Sequence, residues 1–229
     1  MAAASESLVG ACQRVHPRGL IAPAAELTPR ALRLIRASGT QAVLAIGSHR
    51  HKHVPTVIVD QGLFGSLAIG HLAGRGHRRV LAIAPASPPA ELAIAEDRLA
   101  GARQAARIDG IHLTEARVGA DHPVSAAIAK ALADTDPPTA VYAYNDEHAM
   151  AAIRALADQG LRVPDDVAVI GCDDIPAAQH LRPSLTTVAP DSTGLYAASA
   201  DALVELMEGR KLKTPLFHLN AQVVVRESA

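Results

Sequence analysis

The 229-residue chain is 49% hydrophobic and 20% charged, with 22 Lys and Arg against 23 Asp and Glu and a formal net charge of −1. This is an ordinary soluble globular composition, long enough for one large or two small cored domains, and it carries no general attraction for phosphate backbones. No apolar run approaches the roughly 20 residues of a membrane span, MAAASESLVG lacks the basic start and long apolar segment of a secretory signal, and Cys12 and Cys172 stand far apart in no metal-like spacing, which fits a reduced cytoplasmic setting.

Residues 6–15 read as the end of a helix and 19–22 as a short strand. Thr28 followed by Pro29 is a helix start, a hydroxyl cap before a proline at the first helical position. Ala31, Leu34 and Ile35 are its expected buried stripe, and Gly39 ends it. A strand over 41–47 leads into a polar loop, then a strand over 56–60 and a helix over 62–74. His49, His51 and His53 alternate in that loop. On a strand all three would share one face and could bind zinc, but no Cys or acidic partner accompanies them, so they are read as exposed loop residues. A strand at 79–84, the loop PASPP and a helix over 90–108 carrying Arg98 follow. A strand near 113–118 and a helix near 124–133 lead to the most informative stretch.

That stretch, residues 137–188, begins PPTAVYAYNDEHAM. Residues 140–144 fit a strand. Asn145 or Asp146 can cap the next helix, on which Met150, Ile153, Leu156 and Ala157 recur at helical spacing. Gly160 and Pro164 stop it, and 167–171 is a second strand. Strand, helix and strand make a crossover unit with parallel strands. Asn145 and the pair Asp173 and Asp174 therefore leave equivalent, carboxyl ends, where open α/β sheets bind ligands. After an extended segment at 185–188, a helix over 191–208 and a strand over 222–225 complete the chain. Strands alternate with helices throughout, which makes the class α/β with parallel sheets.

Arg98, Asn145 and Asp173 are the candidate ligand site, with Asp60, at another strand end, as a fourth. A guanidinium offers a fork of donors, Asn offers donor and acceptor together, and a carboxylate accepts from paired hydroxyls. That chemistry suits a neutral polyhydroxy ligand or a nucleobase. The bland reading is that Asn145 caps, Asp173 turns the chain and Arg98 is a solvated helix residue. Aromatic residues make up 2% of the chain (Phe64, Tyr142, Tyr144, Tyr196 and Phe217), so few rings are available for stacking a ligand. No G-x-S-x-G, P-loop, H-E-x-x-H or dinucleotide fingerprint is present. Asp165 with Asp166, and Asp173 with Asp174, are adjacent pairs that point oppositely in extended chain and make no acid/base dyad. No catalytic residue, metal or cofactor is assigned.

The stretch P-T-A-V-x-A-x-N-D-E-x-A-M, continuing through G-L-R-V-P-x-D-V to G-x-D-D-I-P and L-x-P-x-L-T-T-V, resembles the effector-binding domain of LacI/GalR-type transcriptional regulators. Gly76 to Val80 (GHRRV), Arg98 followed by Gly101, and the closing VRES extend the likeness over most of the chain. The resemblance implies two Rossmann-like subdomains of the periplasmic binding protein kind, with a small polar effector in the cleft between them. Arg98, Asn145 and Asp173 occupy the effector-contacting motif positions. It also implies a cytoplasmic homodimer to which the 62–74 helix contributes, with operator DNA reached only through a headpiece absent from this chain, and no membrane. The expected division is 1–76 plus 190–216 against 77–189 plus 217–229, with crossings near Gly76, Pro190 and Pro215. The family's headpiece, hinge helix and first strand are not visible before Glu6. The N-terminal subdomain is therefore read as truncated, with exposed ladder groups on the strands at Gly19 and Gln41. The rival readings are a transporter's solute-binding protein and a sugar-processing enzyme.

Overall fold

The computed structural model describes residues 2–87, 89–210, 212 and 220–229. The expected crossing at Pro215, and Phe217, lie outside the described residues. The chain forms two compact units: unit 1 is Met1–Asp60 with Asp191–Asn220, and unit 2 is Gln61–Pro190 with Ala221–Ala229. Each is an α/β unit built on a parallel sheet, as the alternation of strands and helices predicts.

Unit 1 holds α1 (Ala2–Val15), β1 (Gly19–Pro23), α2 (Pro29–Ala37), β2 (Ala42–Gly47), β3 (Thr56–Ile58) and α7 (Ser192–Met207). Thr28 caps α2 as expected, its hydroxyl accepting from the Ala31 N–H at 3.1 Å. The buried stripe of α2 is Ala31, Leu32 and Ile35. Leu34, expected inside, is 37% exposed. Leu32 packs instead with Val9, Cys12, Leu27 and Val43. The expectation of exposed ladder groups on the first strands is corrected for β2, which lies between β1 and β3, and stands for the outer side of β1, which is an edge of that sheet among the described residues. β1 and β2 pair with each other, in parallel register from Gly19 against Ala42 to Pro23 against Ile46. That pairing satisfies the ladder groups each strand turns to the other.

Unit 2 holds α3 (Gln61–Gly74), β4 (Arg79–Pro85), α4 (Pro89–Asp109), β5 (His112–Val118), α5 (Val124–Leu132), β6 (Ala140–Ala143), α6 (Asp146–Asp158), β7 (Ala168–Cys172), β8 (Thr186–Pro190) and β9 (Ala221–Val224). The sheet order is β5-β4-β6-β7-β8-β9. Among the described residues β9 alone runs antiparallel, against β8. Ile83, Val141, Ala143, Leu156, Val169 and Leu185 are fully buried in one core on this sheet. The closing residues are stitched into it. Ser228 Oγ donates to the Val169 carbonyl at 2.6 Å, and the Thr186 N–H donates to that hydroxyl at 2.8 Å.

The division differs from the one expected at Gly76, because α3 packs within unit 2. Two glycines explain why. A Cβ on Gly65 would stand 1.9 Å from the Arg98 carbonyl oxygen, and one on Gly101 would stand 1.8 Å from that of Gly62. The backbones of α3 and α4 are thus in direct contact, which a side chain at either position would prevent. α3 also buries Phe64, Ala68, Ile69 and Leu72.

The end of α3 and the segment after it should make unit 2 sensitive to acid. Burial lowers the pKa of both His71 and His77, with Arg75 acting in the same direction on each. The unfolded chain therefore binds these protons more tightly than the folded one. Their contribution to stability is present above about pH 6.5 and is lost as pH falls through the depressed folded values. His77 Nδ1 lies 3.1 Å from the Thr139 hydroxyl. We expect His77→Gln to flatten the loss of stability between pH 7 and pH 5, read as the difference between variant and parent in urea unfolding. Parallel pH profiles would exclude the assignment.

Candidate functional site

β4, β6 and β7 lie side by side, with Val80 opposite Ala140 and Ala140 opposite Ala168. Because all three are parallel, the residues that follow them emerge at one edge of the unit 2 sheet. Tyr144 and Asn145 follow β6, and Asp173 follows β7. Arg98 comes from the middle of α4, the helix that follows β4. Tyr144 and Asp173 stand 46 and 75 positions from Arg98 in sequence, yet the structure brings both into contact with it.

Arg98 is the centre of the arrangement and is only 5% exposed. Its Nε donates to Gln61 Oε1 at 2.8 Å, its Nη1 to the Tyr144 carbonyl at 2.6 Å and its Nη2 to Asp173 Oδ1 at 2.7 Å. The guanidinium carbon lies 4.8 Å from the Phe64 ring centroid and 5.0 Å from that of Tyr144. Two of the chain's few rings are thus placed on a cation, where ring quadrupole and charge attract. The reading of Arg98 as a solvated helix residue is excluded. It is a clamp that joins α3, the end of β6 and the end of β7.

Asp173 keeps 38% of its side-chain surface exposed while Oδ1 is held by Arg98. Its φ is +102° and that of Asp174 is +50°. Non-glycine residues held in this region cost on the order of 1–3 kcal/mol each and persist only where surrounding contacts over-determine them. Those contacts are on both sides. Asp173 is held by Arg98, and Asp174 Oδ1 accepts from Arg226 Nη2 at 2.6 Å, with Arg226 Nη1 donating to the Leu185 carbonyl. The two neighbours are drawn apart, and Asp173 is left facing outward from the strand end.

Asn145 caps α6, its Oδ1 accepting from the His148 N–H at 2.9 Å and from His148 Nδ1 at 2.6 Å. Asp146, the other cap candidate, is 1% exposed. Its Oδ1 accepts from the Thr187 hydroxyl at 2.6 Å and its Oδ2 from the Ile175 N–H at 2.9 Å. Burial raises its carboxyl to about 6, against the opposing pull of those two hydrogen bonds. Asp146 therefore fixes the turn that carries Asp173 from below. Cys172 is fully buried beside the Tyr142 hydroxyl, and burial lifts its thiol to about 12, which keeps it protonated and inert.

Asp60 is exposed and belongs to unit 1. Of the loop histidines, His51 is half-buried. Its Nδ1 accepts from the His53 N–H at 3.2 Å, which leaves Nε2 to donate to the Leu27 carbonyl at 2.9 Å. Among the described residues no group of three or more His, Cys, Asp or Glu side chains is disposed to hold a metal ion, and no helix is long and apolar enough to cross a membrane.

Sequence reasoning missed Gln61, Phe64, Asp146 and His148 as parts of this site. Asp146 and His148 stand inside the NDEHAM motif and carried a signal by position. Gln61 and Phe64 carried none, because only the packing of α3 on α4 brings them to Arg98. Chemically, the edge offers the second carboxylate oxygen of Asp173 as acceptor and the Asn145 amide N–H groups as donors, set beside a buried cation whose three nitrogens donate to Gln61, Tyr144 and Asp173.

The periplasmic binding protein-like domain model matches residues 69–229. The chain is 31% identical over 173 residues to the HTH-type transcriptional repressor PurR of Photobacterium profundum, spanning 74% of this chain and 50% of that protein. It is 33% identical over 181 residues to the HTH-type transcriptional regulator CelR of Thermobifida fusca, spanning 77% of this chain and 52% of that protein. A solved transcriptional regulator CelR–cellobiose complex is similar over 98% of this chain and 70% of its own, at 27% identity and a TM-score of 0.79. The chain spans about half the length of these curated relatives.

Proposed function

We propose, from the premise that the chain belongs to the family of periplasmic binding protein-like domains, that it is the effector-sensing part of a LacI/GalR-type transcriptional regulator. The effector is a small, neutral, polyhydroxy metabolite such as a sugar or nucleoside. It contacts Asp173 and Asn145 at the strand edge of unit 2, with Arg98 holding Asp173 in place. The observation that carries the reading is the Arg98–Asp173 pair, because it fixes a strained, outward-facing carboxylate at the carboxyl edge of a parallel sheet, where such sheets bind ligands. The similarity to a named transcriptional repressor and a named transcriptional regulator favours a regulator over a transporter's binding protein or an enzyme. Binding alone, without chemistry, is enough for this role. An effector shifts a regulator between states by its differential affinity for them, and operator DNA is contacted by parts of the regulator beyond this chain. The working setting is the cytoplasm, and Asp60 is a further ligand candidate from unit 1.

The test is a thermal-shift and calorimetric screen of neutral sugars and nucleosides, with cellobiose as the first probe. Saturable binding without turnover is expected. Turnover of a bound sugar, or a preference for anions over neutral polyols, would count against the proposal. We further propose that the chain is a homodimer, since isologous pairing is the commonest assembly of such proteins. Light scattering at high micromolar concentration should return twice the chain mass, and a monomer mass would contradict it.

A further inference from the structure

We infer that His148 is a positioning residue that turns Asn145 into a hydrogen-bond donor only toward a ligand. The inference rests on the proposed binding role of Asn145. The two ends of an asparagine amide look alike by shape and are told apart by their partners. One end of the Asn145 amide lies 2.9 Å from the backbone nitrogen of His148. A backbone N–H can only donate, so the end facing it is the oxygen. The same oxygen lies 2.6 Å from His148 Nδ1, so that nitrogen carries its proton and donates too. Both lone pairs of Oδ1 are then used, and what Asn145 retains for a ligand is the pair of Nδ2 hydrogens. The Tyr144 ring meets the imidazole edge-on, with centroids 5.9 Å apart and planes at 86°, which holds the ring in the orientation the bond requires.

This polarity restricts the ligand. Asn145 demands an acceptor, while Asp173, with Oδ1 held by Arg98, demands a donor. Two neighbouring hydroxyls, or a carbonyl beside an N–H, meet both demands at once. Two adjacent acceptor-only groups, as in a carboxylate or phosphate, do not, since one of them would face the free oxygen of Asp173. An apolar residue at position 148 would keep the backbone cap but free one lone pair of Oδ1, and Asn145 would then also accept from a ligand hydroxyl.

The test is made on the ligand-free, ¹⁵N-labelled 229-residue protein. Long-range ¹H–¹⁵N spectra at pH 8 should show the His148 ring protonated at Nδ1. His148→Leu should shift the Asn145 side-chain amide pair, and His148→Gln, which keeps an N–H donor, should return it toward its original place. A bare Nδ1 overturns the inference, and so does an Asn145 amide pair unmoved by His148→Leu. The tautomer is read on the unsubstituted protein and stands even where a variant does not fold. Because no ligand is present, failure here counts against His148 alone, whereas absence of any sugar or nucleoside binding counts against the proposed function.

Discussion

Replacing Arg98 by alanine should lower the stability of unit 2 by about 3 kcal/mol. Breaking a buried ion pair by deleting one partner typically costs 3–5 kcal/mol. The lower end applies here, because the Asp173 side chain is 38% exposed and water can take over part of its solvation. Against that, the Tyr144 carbonyl and the Gln61 side chain lose charge-assisted partners, and the space between the Phe64 and Tyr144 rings empties. Reading Arg98 from spacing alone leads to the opposite expectation, that the fold would tolerate its loss. Arg98→Lys keeps the charge but not the fork, so it cannot serve Gln61, Tyr144 and Asp173 together. It should recover less than half of the loss. Urea unfolding with the slope checked for two-state behaviour measures both. A loss below about 1 kcal/mol for Arg98→Ala would show that the clamp is incidental.

The second large effect lies one helical turn away. Gly101→Ala places a Cβ 1.8 Å from the Gly62 carbonyl oxygen. That neighbour is backbone and cannot swing aside, so α3 and α4 must separate by about an ångström or more. Overpacking of this kind costs roughly 1–3 kcal/mol and occasionally more, and the upper end is expected where backbone meets backbone. The same displacement pulls Gln61 and Phe64 away from Arg98, so ligand affinity should fall with stability. Gly70→Ala on α3 is the matched control. Nothing lies within 4 Å of its added Cβ, and alanine is the better helix former by roughly 0.5–1 kcal/mol. Opposite signs for the two glycine variants are expected. Equal, small effects would mean that the helices are not in backbone contact.

Much of the fold could be read from the residues because it rests on local rules. Thr28 and Pro29 start α2 as the capping rule requires, and the strand, helix and strand from Ala140 to Cys172 form the parallel crossover that their spacing implies. The likeness to LacI/GalR regulators also rested on contiguous motifs, and the relatives found include a transcriptional repressor and a transcriptional regulator. What escaped reading is non-local. Leu32 rather than Leu34 faces the core of unit 1, because α1 and the loop at Leu27 decide which side of α2 is covered. β2 is paired on both sides, by β1 and by β3, which the reading of two open strands did not foresee. α3 joins unit 2 because Gly65 and Gly101 allow two helices to touch, a fact invisible until both are placed. Within the site, Asn145 and Asp173 were legible as strand-end polar residues. The burial of Arg98 was not, since its partners Gln61, Tyr144 and Asp173 converge from three separate elements.

The central claim is that the outward oxygen of Asp173 receives a ligand hydroxyl or N–H. The direct measurement is calorimetric titration of the neutral sugar or nucleoside found by thermal shift into the parent protein, Asp173→Asn and His51→Ala. Asp173→Asn removes a charge-assisted acceptor and should cost on the order of 2–3 kcal/mol of binding, roughly a 30- to 150-fold weaker Kd. His51→Ala, in a loop of unit 1, should leave Kd unchanged. Unchanged affinity in Asp173→Asn, with the protein still folded, would contradict the account.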